Sequence, residues 1–216
     1  MSPRDRILEA AMTVFRRHGF RRSSIEETAE AAGLTRQALY HHFKSKEALF
    51  RAVIERVHDG ALADGADAAG RAEAAGKALA DILVAQIAAR LQAFVASFDG
   101  SPHVDELFSE HLNHARDLYQ HYAALHDAQV AATIERAIKR QKLTLAPGMT
   151  AAKLARYVEF AITGTKSAYP SMRPADAFLR DAEAMLRMLI AGAVAPLKAK
   201  KPSASARPVR RKGVRK

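Results

Sequence analysis

The chain has no cysteine in its 216 residues. Disulfides and thiolate metal sites are therefore excluded, and a reducing, cytoplasmic location is expected. The first ten residues, MSPRDRILEA, hold acids and no apolar run, so they do not read as a secretory leader. The least charged late run, residues 188–197, is too short to cross a bilayer, and no membrane partner is expected. No stretch reads as a strand, and no internal repeat is visible. There is no nucleophile–base pair, no phosphate-cradling glycine loop and no convincing metal triad, so an enzyme is not expected, nor a cofactor.

With 49% hydrophobic residues the chain can bury a core. The net charge of +11 is unevenly spread. Residues 1–58 hold eleven Lys/Arg against seven Asp/Glu, residues 59–197 fourteen against sixteen, and residues 198–216 nine against none. The basicity thus belongs mainly to the last nineteen residues, expected to be a disordered basic tail, while the N-terminal segment is only mildly basic.

Helical periodicity dominates the rest. Ile7, Leu8, Ala11, Met12 and Phe15 form one stripe, ended at His18-Gly19. Ser24 begins a second helix, with Glu27 completing a capping box, and Gly33 stops it. Thr35 caps a third helix, Arg36 to about His42, and Ser45 a fourth. Ala29 is small where two helices would cross, Gly33 suits a three-residue turn, and Leu34 and Leu39 would lock the third helix onto the first two. This is a helix-turn-helix.

Residues 61–76, rich in Ala, Gly and Asp, read as a frayed helix end and a connection. A long helix follows to Phe98, then a break at Asp99-Gly100-Ser101-Pro102. Residues 103–142 read as one helical region bent near 110–113, and two more helices follow, opened by Thr150 and Pro174. The fold class is all-α. A helix-turn-helix domain of three helices (residues 1–48) precedes a larger helical body (49–197) and the tail (198–216).

The reader's chemistry follows from side chains on the third helix. Such a helix fits the major groove with its first turn facing base edges. Arg36 can take guanine O6 and N7, and Gln37 adenine N6 and N7. Ala38 lets the helix sit deep, against a thymine methyl. Both long side chains could instead be merely solvated. Ser24 and Thr35 are helix caps first; Ser24 is a further candidate for phosphate. His41 is placed beside a base or sugar edge. His41 and His42 point about 100° apart on a helix, which disfavours a shared metal.

The runs RILEAAMTVFRRHGF and SSIEETAEAAGLTRQALYHHFKSKEALF resemble the DNA-binding domain of the tetracycline-repressor-like (TetR/AcrR) regulators. The resemblance implies phosphate contacts from Thr35, Tyr40, His42 and Lys46. It also implies a double-stranded DNA operator, a homodimer built on the last two helices, and a small-molecule effector held in the body. Small residues on those helices (Ala161, Gly164, Ala168; Ala184, Ala191, Ala195) suit close helix approach. Candidate pocket residues are Phe94, Phe98, Phe108, Leu112, Tyr119 and Tyr122, which ordinary core packing explains equally well. Leu49, Phe50, Val53 and Ile54 would carry coupling through the fourth helix. The function expected is a ligand-responsive, dimeric regulator, a repressor on a palindromic operator. The alternative is a ligand-independent architectural or activating DNA-binding protein. Glu110, His114, Asp117 and His121, at spacings of four, three and four, share one helical face, which reads as a solvated face with Asp117 paired to a histidine, or as a metal site.

Overall fold

A computed structural model describes residues 2–196; the tail expectation for residues 198–216 lies outside the described residues. The helices are α1 (Pro3–Arg22), α2 (Ile25–Ala31), α3 (Arg36–His42), α4 (Lys46–Ala74), α5 (Leu79–Phe98), α6 (Val104–His114), α7 (Arg116–Gln141), α8 (Ala151–Ala168) and α9 (Ala175–Ala193).

Local chemistry sets the first four. Ser24, Thr35 and Ser45 accept the amide three residues on, each at 3.1 Å, and Glu27 returns the capping box. Each such cap satisfies an amide that the first helical turn leaves without a partner. Gly33 turns the chain at φ 68°, and the Leu34 amide closes the turn on the Ala29 carbonyl at 2.8 Å. Ile7, Phe15, Leu39, Leu49, Phe50 and Ile54 are buried together. Phe98, Val104, Leu107 and Ala115 join the same core, so the reading head and the body share apolar packing. The fourth helix runs unbroken through residue 48 into the body.

Three expectations fail. Residues 61–74 are helix, not a frayed connection, and Ala75 caps its end. Ala61, Gly65, Ala68 and Ala69 are buried. Small side chains there let α4 lie against α5: a Cβ on Gly65 would stand 2.9 Å from the Gln86 carbonyl oxygen. Second, the break in the 103–142 region falls at Ala115 (φ −139°, ψ 31°), beyond the expected bend. Third, two short strands exist, β1 (Leu143–Leu145) and β2 (Val194–Pro196), paired antiparallel, and they tie the end of α9 back to the end of α7.

Helix α5 is long and apolar enough to cross a membrane by length and composition. Here it is the spine of the body. Ile82, Leu83, Ile87 and Leu91 are buried in a second core shared with α7, α8 and α9.

Candidate DNA-reading helix and body cavity

Helix α3 stands on its buried Leu39 and leaves Arg36, Gln37, His41 and His42 exposed, with Ala38 and Tyr40 half-buried. Arg36 Nη1 lies 2.6 Å from Glu26 Oε1, and its guanidinium sits 5.4 Å from the Tyr40 ring centroid. Of the residues expected to read bases, Arg36, Gln37 and His41 are thus exposed and Ala38 is half-buried, and Arg36 is held against Glu26. Thr35 is exposed at the start of α3. Ser24 is half-buried, and its hydroxyl both caps α2 and donates to Glu27 at 3.0 Å.

Lys46 is differently employed. Its ammonium donates to the carbonyls of Phe20, Arg21 and Ser23 at 2.9, 3.2 and 3.1 Å, and lies 4.6 Å from the Phe20 ring centroid. It holds the corner between α1 and α2. Phe43 is buried and Tyr40 only partly so, as their chemistry suggests.

The four-residue polar face does not form one face, because the chain breaks at Ala115. Glu110 takes Arg21 Nε at 2.9 Å and His114 Nε2 at 3.1 Å. Asp117 pairs with both terminal nitrogens of Arg51 at 2.7 and 2.6 Å, not with a histidine. His121 packs against the Tyr122 ring at 5.3 Å. These acids are joints between head and body. Glu106 adds another by accepting the Arg21 amide at 2.7 Å. That approach suits Gly19, at φ 77°, where a Cβ would run into the Glu106 carboxylate.

The body holds a cavity of about 480 Å³ walled by α4, α5, α6, α7 and α8. Four of the six expected residues line it: Phe94, Phe108, Leu112 and Tyr119. Phe98 lines a smaller adjoining cavity that shares Phe108. Tyr122 lines neither: it stacks on His58 at 4.6 Å and its hydroxyl donates to Asp59 at 2.6 Å.

Sequence reasoning misses the cavity's polar wall: His58, Arg90, His111 and Lys166. Each follows a buried aliphatic residue by three or four positions (Ile54, Ile87, Leu107, Ile162), so each interrupts an apolar stripe. That interruption was the available signal. His58 Nε2 and His111 Nε2 are 3.3 Å apart. Burial pushes their pKa values down to about 3 and about 4, so both are neutral near pH 7 and one ring donates to the other. Burial, then Arg90, lowers Lys166 to about 8.

Behind this wall lie His126, Asp127 and Glu159, whose ligand atoms fall within 4.8 Å of one another and could hold a metal ion. His126 is 1% exposed and lowered to about 4 by burial, and its Nδ1 lies 3.4 Å from Glu159 Oε2. Arg90 and Lys166 both act on the Glu159 carboxylate, so a divalent cation would enter a field already positive.

Fold and surface together define a predominantly helical helix-turn-helix protein with a cavity-bearing body. Residues 7–53 match the family described as "Bacterial regulatory proteins, tetR family". The chain is 43% identical over 56 residues to the HTH-type transcriptional repressor ComR of Escherichia coli (strain K12), covering 26% of this chain and 27% of that protein. It is 42% identical over 60 residues to the regulator UidR of the same strain, covering 28% and 31%. The matched region thus spans less than a third of either relative. In the body the likeness is one of fold: SmeT, the repressor of the Stenotrophomonas maltophilia multidrug efflux pump SmeDEF, superposes with a TM-score of 0.60 at 22% identity, over 89% of this chain and 90% of that one. The N-terminal segment thus matches the tetR-family DNA-binding domain, and over the rest of the chain the likeness is one of fold.

Proposed function

We propose that the chain is a ligand-responsive, dimeric transcriptional regulator that binds a palindromic operator and acts as a repressor. The observation that carries this reading is the exposed surface of α3, set on a core that continues through α4 into a cavity-bearing body. Arg36 and Gln37 read bases, with Ala38 and His41 close to the groove floor. Thr35, Tyr40, His42 and Ser24 meet phosphates, and Lys46 fixes the α1–α2 corner.

Dimerisation is supported by an exposed apolar face on α8 and α9: Tyr157, Phe160, Met185 and Met188 are 41–68% exposed, and Gly164, Ala168, Ala184 and Ala191 are exposed too. Pairing these faces would bury surface that is costly in water and set two heads for two half-sites.

The switch is a population shift. Helix α6 offers Phe108 and His111 to the cavity, and Glu106 and Glu110 to Arg21 of the head. Helix α4 offers His58 to the same cavity. A ligand that displaces α6 moves α4 and the spacing of the heads. Leu49, Phe50, Val53 and Ile54 carry that motion into α1.

Selection of bound genomic fragments tests the reading. A palindrome should be enriched, and Arg36→Ala should relax one base pair per half-site at about 1–3 kcal/mol. Enrichment without any palindrome would favour an architectural DNA-binding protein instead. Phe160→Glu should yield monomers in sedimentation.

A further inference from the structure

Arg90 is 7% exposed and lines the cavity, yet it has no carboxylate within 4.0 Å and no side-chain hydrogen bond among the described residues. Lys166 lines the same wall, with no ion pair among the described residues and the Tyr119 ring centroid 5.6 Å from its ammonium. The carboxylates that act on them, Glu159 and Asp127, are not part of the lining. The cations thus face the space and the acids lie behind. Burial and Glu159 raise the Asp127 pKa, which weakens that acid as a counter-charge. His58 and His111 are neutral donors and acceptors beside them. The remaining lining is largely apolar, through Leu91, Phe94, Phe108, Leu112 and Met172, with Asp105 exposed at the rim.

A buried guanidinium without a paired anion is costly, and a planar fork suits a carboxylate. We infer that the effector is a small organic carboxylate with an apolar body, its carboxylate held by Arg90 and Lys166 and its body lying on Leu91, Phe94, Phe108 and Met172. The cavity's volume is within the range of drug-sized ligand sites. Asp105 at the rim disfavours a second negative charge, so the ligand is a monoanion. This inference rests on the reading of the cavity as an effector site.

Titration calorimetry on the full chain tests it with two matched sets: octanoate, octanamide and octylamine; cinnamate, cinnamamide and cinnamylamine. The carboxylate should bind about tenfold more tightly than its amide, since a charge-assisted bond exceeds a neutral one by that order. Arg90→Gln and Lys166→Gln should each bring the ratio of carboxylate to amide affinity toward one. If Arg90→Gln does not fold, Lys166→Gln, on a more accessible side chain, carries the comparison. Amides binding as well as carboxylates, or a preference that survives both substitutions, would overturn the assignment. Amide or amine binding without carboxylate binding removes the anion but keeps a ligand cavity. Failure of all six compounds removes the anion and, with it, the effector cavity.

Discussion

His58 of α4 and His111 of α6 meet through their Nε2 atoms at 3.3 Å, joining the helix that carries the reading head to a wall of the cavity. Both rings are held neutral by burial, with pKa values of about 3 and about 4 against an ordinary 6.5. The unfolded chain therefore takes up protons first as pH falls. The pair's contribution is intact above about pH 6.5 and drains toward pH 4, at about 1.4 kcal/mol per pH unit for each ring at most. Thermal melts between pH 7 and 4.5 should show a falling midpoint, and His58→Gln with His111→Gln should make the fall shallower, leaving the share of buried His126. An unchanged slope would place the acid sensitivity elsewhere.

Lys46 spends its ammonium on three carbonyls at the end of α1. Lys46→Met should then cost about 2–3 kcal/mol of stability, as three acceptors lose a charged donor. It should leave the salt dependence of DNA binding unchanged. If the slope of log K against log salt instead fell by about one, Lys46 would be a phosphate contact.

The head is legible in the sequence because its signals are local. Ser24, Thr35 and Ser45 cap where their spacing says, and Gly33 turns where the chain must. The break at Ala115 is not legible, since no proline or glycine marks it and tertiary packing decides it. Residues 61–74 mislead because Gly65, Gly70, Asp64 and Asp67 are weak helix formers, whereas here the small residues permit close approach of two helices. The aromatic side of the cavity follows from stripes along α5 and α6. Its cationic side needs distant helices to bring Arg90 and Lys166 to one space. Tyr122 shows the limit of periodicity, which places a residue on a face without saying what that face meets.

Glycines on α4 should separate by environment. Gly65→Ala puts a methyl 2.9 Å from the Gln86 carbonyl oxygen and 3.3 Å from the Arg90 Cβ, which forces the α4–α5 contact apart. A loss of about 1–3 kcal/mol is expected. At Gly70 nothing lies within 4 Å, so Gly70→Ala should gain about 0.5–1 kcal/mol from helix propensity alone. Denaturant melts of both variants check the contrast. A stabilised Gly65→Ala would mean the two helices have room to part.

Lys166 offers a pH signature for the proposed carboxylate. Its pKa of about 8 comes from burial and from Arg90, opposed by Glu159. A bound anion favours the charged ammonium and raises that value. Affinity should therefore be full below about pH 8 and fall by up to about tenfold per pH unit above it. The other groups facing Lys166 do not titrate in this window: Arg90 stays charged although burial lowers it, Tyr119 is raised above its ordinary 10.0 by burial, His58, His111 and His126 are already neutral, and Glu159 is ionised. Calorimetry with octanoate from pH 7 to 9.5 should show the decline, and Lys166→Gln should abolish it. A decline that persists in Lys166→Gln would assign the proton to another group and remove Lys166 from the carboxylate's recognition.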